Sequence, residues 1–411
     1  KRILLTGGRA PATLDLARVL HRHTSHIFLA ESLPLSMTSF SRCVRRSYRV
    51  PPPRQRPEAF ARALLEIIKK EQITHLIPTC EEIFTVLAYE ELLRPHVTIF
   101  APTHEVALRL HSKWRFQEWM TELGLSVPQT QRLIDHHSLA KHIEEFGSES
   151  VYKPEWSRFG TQVHISPTEV EWIKAIPCDE SYPWLAQKRV RGKAWCSYSW
   201  FDRGHLIAHC TYPMEFSKST NASLIFSHHS HDGIEAWVRR FGRETKYTGQ
   251  VAFDFIEDET LLYAIECNPR LTSGIHTLFD RDLGDILPTS QDSEPSSQSS
   301  ELNLESGSGI ASDSDIDIDS DIDSDIDSSL GLDSGQHVEC RYGKSAPQSL
   351  KSALIVYTPL IIAHQGVKRW LWSIWCTRDV ILRVSDPLPG LLWPLEYIQF
   401  LWRAWREKIS T

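Results

Sequence analysis

The chain has 411 residues, 41% hydrophobic and 24% charged, which is enough to bury the cores of two or three compact units. Its formal net charge is −7, but residues 289–335 hold 13 of the 52 acidic residues and no Lys or Arg. The remainder has 45 basic and 39 acidic residues, or about +6. This mildly basic balance suits a protein that binds anionic small molecules, and the sequence has no Lys/Arg stripe dense enough for nucleic acid.

The eight cysteines are scattered, without CxxC or Cys/His ligand spacing, so the sequence indicates neither a disulfide framework nor a zinc site. This usage fits a reducing compartment, and we expect a cytoplasmic protein. No run of about 18 apolar residues predicts a membrane-spanning helix. The sequence begins at Lys1, directly on a predicted strand, so a removed leader stays an open alternative.

The first hundred residues alternate predicted strands and helices. "RILLTGGRAPATLDLARVLHRH" predicts a buried strand, a tight turn at Gly7 and Gly8, and an amphipathic helix. Further strands are predicted in "HIFLAES", "ITHLIPTC" and "VTIFAP", with helices in "PEAFARALLEIIKKEQ" and "EEIFTVLAYEELL". This alternation predicts a parallel, doubly wound sheet. The glycine turn lacks a third glycine at the fingerprint spacing, so it is a weak dinucleotide-binding motif.

From about residue 105 the pattern becomes α+β. "THEVALRLHSKWRFQEWMTELGLSVPQT" predicts a helix that stops at Gly124, and "SVYKPEWSRFGTQVHI" predicts two strands joined by a polar loop with Gly160. "YPWLAQKRVRGKAWCSYSWFDRGHLIAHCTY" predicts a meander with turns at residues 191–192 and 202–204. A helix at residues 234–246 and a hairpin in "QVAFDFIEDETLLYAIECN" follow, with the hairpin turn at residues 257–259.

The last part of the chain has two unusual segments. Residues 289–335 carry an Asp-Ile-Asp-Ser-like repeat but lack the glycine turn and terminal Glu of an EF-hand, so they predict a disordered, self-repelling insert. Residues 350–411 hold six of the 14 tryptophans and end in a helix with a Trp/Leu/Ile face and with Arg403, Arg406 and Lys408 on its other surface. Such a helix either makes peripheral contact with a membrane or packs on the body of the protein or on a second subunit of a homodimer.

Three oxygen donors and an arginine lie close together in the predicted hairpin. Asp254 and Glu266 fall on facing strands, and Glu266 and Asn268 share a face because strand side chains alternate with period two. Mg²⁺ prefers such oxygens while it bridges nucleotide phosphates. Arg270 would point the same way and neutralise charge on a transferring phosphoryl group. The alternative is two ordinary surface acids beside an Asn-Pro turn.

Two lysines favour the nucleotide interpretation. Lys113 lies at a predicted helix start, and Lys153 lies at the end of a strand. Each could be an ordinary solvated lysine. However, a magnesium-bound triphosphate also needs fixed positive charge on its α- and β-phosphates, and a flap at residues 157–161 would close over them.

The order of these parts makes the chain resemble the ATP-grasp superfamily over roughly residues 1–285. The motifs are Lys113 with "ELGLSVP", Lys153 and Pro154 with Gly160, "AQKRVRG" ending at Gly192, and Asp254 followed by "ECNPR". The resemblance implies an ATP-dependent C–N ligase that uses ATP and two Mg²⁺ ions. It also implies four segments: a Rossmann-like preface domain at 1–104, an ATP-grasp domain of two α+β subdomains at 105–288, the acidic insert at 289–335, and a C-terminal segment at 336–411 that packs on the catalytic body.

The resemblance also implies roles for individual residues. The phosphate and adenine contacts it implies are Lys113, Lys153, Gly160 and the hinge Gln187, Lys188, Arg189 and Val190. The magnesium ligands it implies are Asp254, Glu266 and Asn268, and Arg270 would be the catalytic residue that steadies the phosphorylated intermediate. Many members hold the ribose with glutamates at the hinge and just beyond it. Here Lys188, Arg189, Lys193 and Ala194 stand there, so ribose recognition is left open.

A narrower resemblance is to the ATP-grasp ligases of mycosporine-like amino acid biosynthesis, which are understood to phosphorylate the enol of the cyclohexenone 4-deoxygadusol and couple glycine to it. The stretches that carry it are "TGGRAPATLDLARVLHRHTSHIFLAESLP", "YRVPPPRQRPEAF", "LIPTCEEIF" and "VYKPEWSRFGTQVHI". We expect the acceptor pocket between the metal site and the first domain. Its candidate substrate residues are Glu81, Glu82, Arg158, Thr272, Ser273 and His276.

Three alternatives stay open. The cluster of His228, His229 and His231 either binds an enolate or a metal or is a plain loop. A different ligase, joining an amino acid to a carboxylate, fits the same motifs. A non-catalytic nucleotide-binding module is the third alternative.

Overall fold

The computed structural model describes residues 1–157, 162–167, 171–214, 225–278, 287, 348–349 and 377–409, without the side chains of residues 171, 400, 401 and 403–409. Several sequence predictions lie outside the described residues. They concern the flap residues Arg158 and Gly160, the acidic insert, most of the Trp-rich segment, and the side chains of Arg403, Arg406 and Lys408.

The first unit is a five-stranded parallel sheet. Its strands are β1 (Ile3–Thr6), β2 (Ile27–Glu31), β3 (Arg46–Arg49), β4 (His75–Ile77) and β5 (Thr98–Ile99), in the order β3-β2-β1-β4-β5. The connecting helices are α1 (Pro11–His21), α2 (Pro57–Glu71), α3 (Glu82–Ala88) and α4 (Glu90–Leu93). The predicted parallel pairing is confirmed. The strand order reverses between β1 and β4, the position at which open α/β sheets bind ligands.

The helix predicted from His104 is in fact two helices, α5 (His104–His111) and α6 (Lys113–Glu122). Ser112 between them is extended, and its hydroxyl accepts a hydrogen bond from the backbone N–H of Arg115 at 3.0 Å. A serine that caps backbone N–H groups in this way starts a new helix. Lys113 therefore stands at the first position of α6, and Gly124, with φ +64°, follows the end of that helix.

A small antiparallel sheet follows in the order β6-β9-β7-β8. Its strands are β6 (Thr130–Leu133), β7 (Ser150–Pro154), β8 (His164–Ile165) and β9 (Trp184–Lys188). Helix α7 (His136–Phe146) packs on it through Leu139 and Ile143. Short 3-10 turns at Gly147–Glu149 and Glu171–Ala175 complete this unit.

The larger antiparallel sheet has the order β11-β10-β13-β14. Its strands are β10 (Lys193–Asp202), β11 (His205–Pro213), β13 (Gly249–Glu257) and β14 (Leu262–Asn268), and helix α8 (Asp232–Thr245) covers one face through Trp237 and Phe241. β12 (Ile225–Phe226), β15 (Gln348–Ser349) and β16 (Arg378–Asp379) form a separate short sheet. Helix α9 (Ile275–Leu278) follows β14.

The continuous meander predicted across residues 191–192 is wrong, because β9 and β10 belong to different sheets. The hairpin at residues 202–204 and the β13–β14 hairpin are confirmed. Gly192 lies in the link between the two sheets, where an added Cβ would fall 1.9 Å from the carbonyl oxygen of Glu257. Only glycine lets the link pass so close to that turn.

The described part of the C-terminal segment packs on the first unit. Arg18 of α1 donates to the Asp386 carboxylate at 2.9 Å, and Glu396 of helix α10 (Leu388–Ile409) accepts from the backbone N–H of Met37 at 2.7 Å. This segment also contacts residues 105–288, because β15 pairs with β12 and β16 pairs with β15, and Val380 and Ile381 share a hydrophobic cluster with Phe226 and Ile275. The apolar residues of α10 that stay exposed are Leu388, Leu391, Leu395, Ile398 and Trp402. No helix within the described ranges is apolar and long enough to cross a bilayer.

Candidate active site

The β13–β14 hairpin brings the predicted oxygen donors together. Asp254 lies directly opposite Glu266 in the register, and Asn268 lies two residues further along β14, opposite Ala252. Because β13 is a central strand paired on both sides, the backbone beneath these side chains is held by two ladders of hydrogen bonds. The thiol of Cys196, on the neighbouring strand β10, hydrogen-bonds the Asp254 carboxylate.

Both predicted lysines reach this hairpin from distant segments. The ammonium nitrogen of Lys113 lies 3.4 Å from a carboxylate oxygen of Glu266 and donates to the Ser157 carbonyl at 2.5 Å. The ammonium group of Lys153 donates to the carbonyl of Ile265 at 3.2 Å. Burial lowers the pKa of Lys153 to about 8, although Glu266 opposes that shift. Two buried cations therefore flank the carboxylate pair.

Arg270 joins the hairpin to the first sheet. Its Nε lies 2.8 Å from a carboxylate oxygen of Glu81, which follows β4 at the point where the strand order reverses. Its other guanidinium nitrogens donate to Asn268 Oδ1 at 3.3 Å and to the Leu271 carbonyl at 3.1 Å. Glu81, predicted to contact substrate, thus lies beside the predicted catalytic arginine.

Glu82 has a different environment from Glu81. Its buried carboxylate accepts from the Thr6 hydroxyl at 2.8 Å and the Cys80 N–H at 3.3 Å, and it lies 3.5 Å from a guanidinium nitrogen of Arg9. A Cβ added to Gly7, which has φ +63°, would lie 2.3 Å from the same carboxylate. Glu82 thus occupies the space over the glycine turn where the phosphate of a dinucleotide would bind. This placement argues against dinucleotide binding at the turn and gives Glu82 a structural role.

The three predicted substrate residues that follow β14 are buried. Thr272, Ser273 and His276 are each at least nine-tenths buried. His276 Nδ1 lies 2.9 Å from the Asp15 carboxylate, which also accepts from Arg383 at 3.2 Å. Burial disfavours ionisation of Asp15, but Arg383, His276 and Arg18 together hold its pKa below the ordinary value. The structure therefore places His276 in a buried ionic network that joins α1, this loop and the C-terminal segment.

The predicted adenine hinge lies at the end of β9. Gln187 is buried, and its amide donates to the Thr130 hydroxyl at 3.1 Å. The backbone N–H groups of Lys188 and Arg189 donate to the carbonyls of Gln129 and Glu149 at 2.8 and 2.7 Å, and Val190 follows, half-buried. These contacts fix the strand end that leads to Gly192.

The three histidines before α8 are half-buried and have structural contacts. His231 caps α8, because its Nδ1 accepts from the Ile234 N–H at 3.3 Å, and its Nε2 lies 3.1 Å from Glu257. The backbone N–H of His229 donates to Thr211 at 3.0 Å. The contacts of this cluster, which includes His228, favour the interpretation as a structural loop over a metal site.

Glu155 is a site residue that the sequence analysis missed. Its carboxylate, 3% exposed, accepts from the Ser112 hydroxyl at 2.5 Å and from Arg132 Nε at 2.8 Å. Ser112 directly precedes Lys113, and Glu155 comes two residues after Lys153. One buried carboxylate thus fixes the positions of both phosphate-binding candidates. In the sequence, the only indication of this role is that Glu155 directly follows the Lys153-Pro154 pair. A glutamate in that position is by itself indistinguishable from an ordinary surface residue.

His111 was also missed. Its ring centroid lies 4.6 Å from that of Phe84 in the first unit and 5.6 Å from that of Trp156 beyond β7. Burial, reinforced by the positive charges of Lys113 and Arg270, lowers the pKa of His111 to about 3. The imidazole is therefore neutral near pH 7, between the two units.

The donor set at the hairpin fits magnesium. Within the described ranges, no group of three or more His, Cys, Asp and Glu side chains is arranged to hold a metal. The hairpin instead offers two carboxylates and one amide oxygen, Asp254, Glu266 and Asn268, on one face of paired strands. Mg²⁺ binds through few protein oxygens of this kind and completes its shell with water and nucleotide phosphates.

Comparison with known proteins identifies the fold. No protein-family model and no curated protein sequence matches the chain. An L-amino acid ligase from Bacillus licheniformis matches with a TM-score of 0.54 and 12% identity, over 68% of this chain and 69% of that one. N5-carboxyaminoimidazole synthetase from Staphylococcus aureus matches with a TM-score of 0.53 and 12% identity, over 68% and 73%.

A third similar structure is the biotin carboxylase domain dimer of Hydrogenobacter thermophilus 2-oxoglutarate carboxylase, in complex with MgADP, ADP and bicarbonate. It matches with a TM-score of 0.54 and 15% identity, over 69% of this chain and 68% of that one. These solved structures are ATP-grasp ligases. The chain has their mixed α/β fold, and at these identities the likeness extends to the fold alone.

Proposed function

We propose that this chain is an ATP-dependent C–N ligase of the ATP-grasp type. The observation that carries the proposal is the meeting, at one hairpin, of Lys113, Lys153, the Asp254–Glu266 pair and Arg270, which come from separate segments of the chain. Two cations beside two carboxylates and an amide suit a magnesium-bound triphosphate, and an arginine beside them suits the transferred phosphoryl group.

Each group has a role in this proposal. Lys113 and Lys153 hold the phosphates, and the segment from Gln187 to Val190 contacts adenine, while the flap with Gly160 covers the nucleotide. Asp254, Glu266 and Asn268 would hold Mg²⁺, which neutralises phosphate charge when bound. The resemblance implies two such ions. Arg270 stabilises charge on the phosphoryl group. The first parallel sheet is proposed to be the preface domain, residues 1–104, ahead of the ATP-grasp domain at 105–288.

The reaction that fits is activation followed by displacement. An enol or carboxylate oxygen of the acceptor attacks the γ-phosphorus of ATP, and ADP leaves. The amine nitrogen then forms a bond to the activated carbon as the C–O bond breaks and phosphate leaves. Phosphorylation is needed because the oxygen by itself is a poor leaving group.

For the substrates we propose 4-deoxygadusol and glycine, giving mycosporine-glycine. This rests on the sequence stretches that resemble mycosporine-glycine synthetase. In this proposal Glu81 faces the reaction crevice, and either Arg158 or the loop at residues 272–274 binds the glycine carboxylate. A cytoplasmic location would supply the ATP, and a homodimer is compatible with the proposal.

The test uses the full chain with Mg-ATP, 4-deoxygadusol and glycine, with phosphate release and product mass as readouts. Glu266→Gln should abolish turnover, whereas Glu259→Gln at the exposed hairpin turn should leave it unchanged. Full turnover by the Glu266 variant would contradict the metal assignment. Absence of phosphate release by the unmodified chain would reject these substrates.

A different carboxylate–amine ligase is the second candidate, favoured by the fold likeness to an L-amino acid ligase. Screening amino acids and carboxylates for ATP consumption distinguishes the two candidates. A non-catalytic nucleotide-binding module is disfavoured, because such a module has no need for an arginine placed beside the metal ligands.

A further inference from the structure

One edge of the first sheet carries a group of arginines that the proposed active site does not use. Residues 42–56 contain six arginines and no acidic residue. They lie on β3 and on the segments before and after it, and β3 is the edge strand in the order β3-β2-β1-β4-β5. All six are exposed: Arg42, Arg45, Arg46, Arg49, Arg54 and Arg56. We call residues 42–56 the arginine edge.

Neighbouring acids neutralise little of this charge. Glu71 pairs with Arg46 at 3.1 Å, whereas Arg45 and Arg49 form no ion pair within the part of the chain that the structure describes. Charged residues on an edge strand also keep it from pairing with other chains. That role does not account for the exposed arginines that flank β3. The arginine edge is therefore a positive surface that favours an anionic partner.

The chain itself contains a segment of matching charge. Every second residue from 313 to 327 is Asp, which gives eight carboxylates in fifteen residues, and residues 289–335 contain no Lys or Arg. This Asp repeat, residues 313–327, has no counter-charge of its own, so its carboxylates repel one another. Guanidinium groups pair well with carboxylates because they can donate two parallel hydrogen bonds. The arginine edge thus offers the counter-charge that the Asp repeat lacks.

The last described residue before the insert lies at the end of the sheet where β3 begins. The carbonyl of Leu287 accepts a hydrogen bond from the ammonium group of Lys1 at 2.5 Å. Lys1 directly precedes β1, and β1, β2 and β3 run parallel and in sequence across the sheet, with Ile3 beside Ile27 and Phe28 beside Arg46. The chain therefore leaves the described part of the molecule two strands away from the arginine edge.

The chain returns to the described part close to the other end of the arginine edge. Gln348 accepts from Arg383 at 3.3 Å, and the carbonyl of Ser385, two residues further along, accepts from Arg42 at 2.8 Å. The Asp repeat begins 26 residues after Leu287 and ends 21 residues before Gln348. At about 3.3 Å for each residue, both lengths are ample for the repeat to reach β3.

We propose that the Asp repeat binds the arginine edge of the same molecule. Each exposed ion pair contributes little and is weakened by salt, but many pairs between two tethered segments act together. The acidic insert then has a role that is separate from ATP chemistry. It covers the positive edge of the first sheet and keeps other anionic partners from it.

The first experiment measures whether the arginine edge is already occupied. A labelled synthetic peptide of residues 311–329 is titrated into the full chain at about 50 mM salt and followed by fluorescence anisotropy. A full-length variant with the eight aspartates of the repeat replaced by asparagine should bind the peptide about tenfold more tightly than the unmodified chain, because its own repeat no longer competes. Equal affinity for the two chains would overturn the intramolecular contact.

The second experiment identifies the surface that binds the peptide. In the variant with the neutral repeat, Arg45→Ser combined with Arg49→Ser should weaken peptide binding about fivefold. The matched control is Arg203→Ser combined with Arg243→Ser, which removes two arginines that are 62% and 65% exposed on the other large sheet and on α8. This control should bind like its parent. Equal losses in the two double variants would overturn the assignment to the arginine edge.

The third experiment locates the contact in the unmodified chain by carbodiimide crosslinking, which joins a carboxylate directly to an amine. Lys70 is beside the arginine edge, because its ammonium nitrogen lies 5.4 Å from the ring centroid of Tyr48 on β3. We expect crosslinks between Lys70 and the Asp repeat within single chains, and their loss at about 0.5 M salt. Lys141, 64% exposed on α7, is the control and should form none with the repeat. Crosslinks found only in covalent dimers, or equally at Lys141, would overturn the proposal.

Discussion

Replacing Glu155 by Gln tests whether one buried carboxylate sets the geometry of both lysines. The carboxylate is 3% exposed and bonds the Ser112 hydroxyl at 2.5 Å and Arg132 Nε at 2.8 Å. A buried hydrogen bond to a charged group contributes about 1.5–3 kcal/mol. The Arg132 pair adds at most about 1 kcal/mol, because that guanidinium is 36% exposed. We expect the free energy of unfolding to fall by about 2 kcal/mol, measured by urea denaturation.

The same substitution should weaken nucleotide binding. Ser112 caps the helix that begins at Lys113, so weakening its bond to residue 155 loosens Lys113, a proposed phosphate ligand, relative to Lys153 on β7. We expect Mg-ATP affinity to fall about tenfold, corresponding to about 1.4 kcal/mol, in calorimetric titrations. The control is Glu149→Gln, which removes an exposed 3.4 Å pair with Arg191 and should change stability by less than about 0.5 kcal/mol. Indistinguishable behaviour of the two variants would refute the positioning role.

Three further outcomes follow from the packing. Asp15→Asn removes the buried carboxylate that Arg18 and Arg383 share, leaving Arg18 with Asp386, and should lower the free energy of unfolding by about 3 kcal/mol; a loss below about 1 kcal/mol in urea denaturation would contradict the network. The pKa of His111 is about 3 when folded against an ordinary 6.5, so the unfolded chain binds more protons between these values. The contribution of His111 to the free energy of unfolding is complete above pH 6.5 and falls by up to about 1.4 kcal/mol per pH unit as the pH drops toward 3. His111→Gln should reduce this dependence of stability on pH. An unchanged dependence would count against the burial of a neutral imidazole. Gly192→Ala pushes a methyl group onto the Glu257 backbone and should cost about 1–3 kcal/mol, whereas Gly233→Ala meets only a side chain at 3.2 Å and should cost less; equal losses would argue against the clash.

Much of the local architecture follows from the sequence because it depends on neighbours along the chain. Alternation with period two and a short turn place Asp254 opposite Glu266, as the hairpin register shows. Alternating strands and helices likewise predict the parallel first sheet. The sequence also predicts a helix start at Lys113, but the hydrogen bond by which the Ser112 hydroxyl caps that helix is seen only in the structure.

What only the tertiary structure decided concerns contacts between segments far apart in the chain. Adjacent glutamates such as Glu81 and Glu82 look equivalent in sequence, yet one faces Arg270 and the other fills the space over Gly7. His276 resembles a site residue until burial against Asp15 is seen. Periodicity fixes which way a side chain points from its own strand or helix. Periodicity carries no information on which distant group packs against that side chain. Burial beside the distant group determines whether the side chain is charged and whether a ligand can reach it.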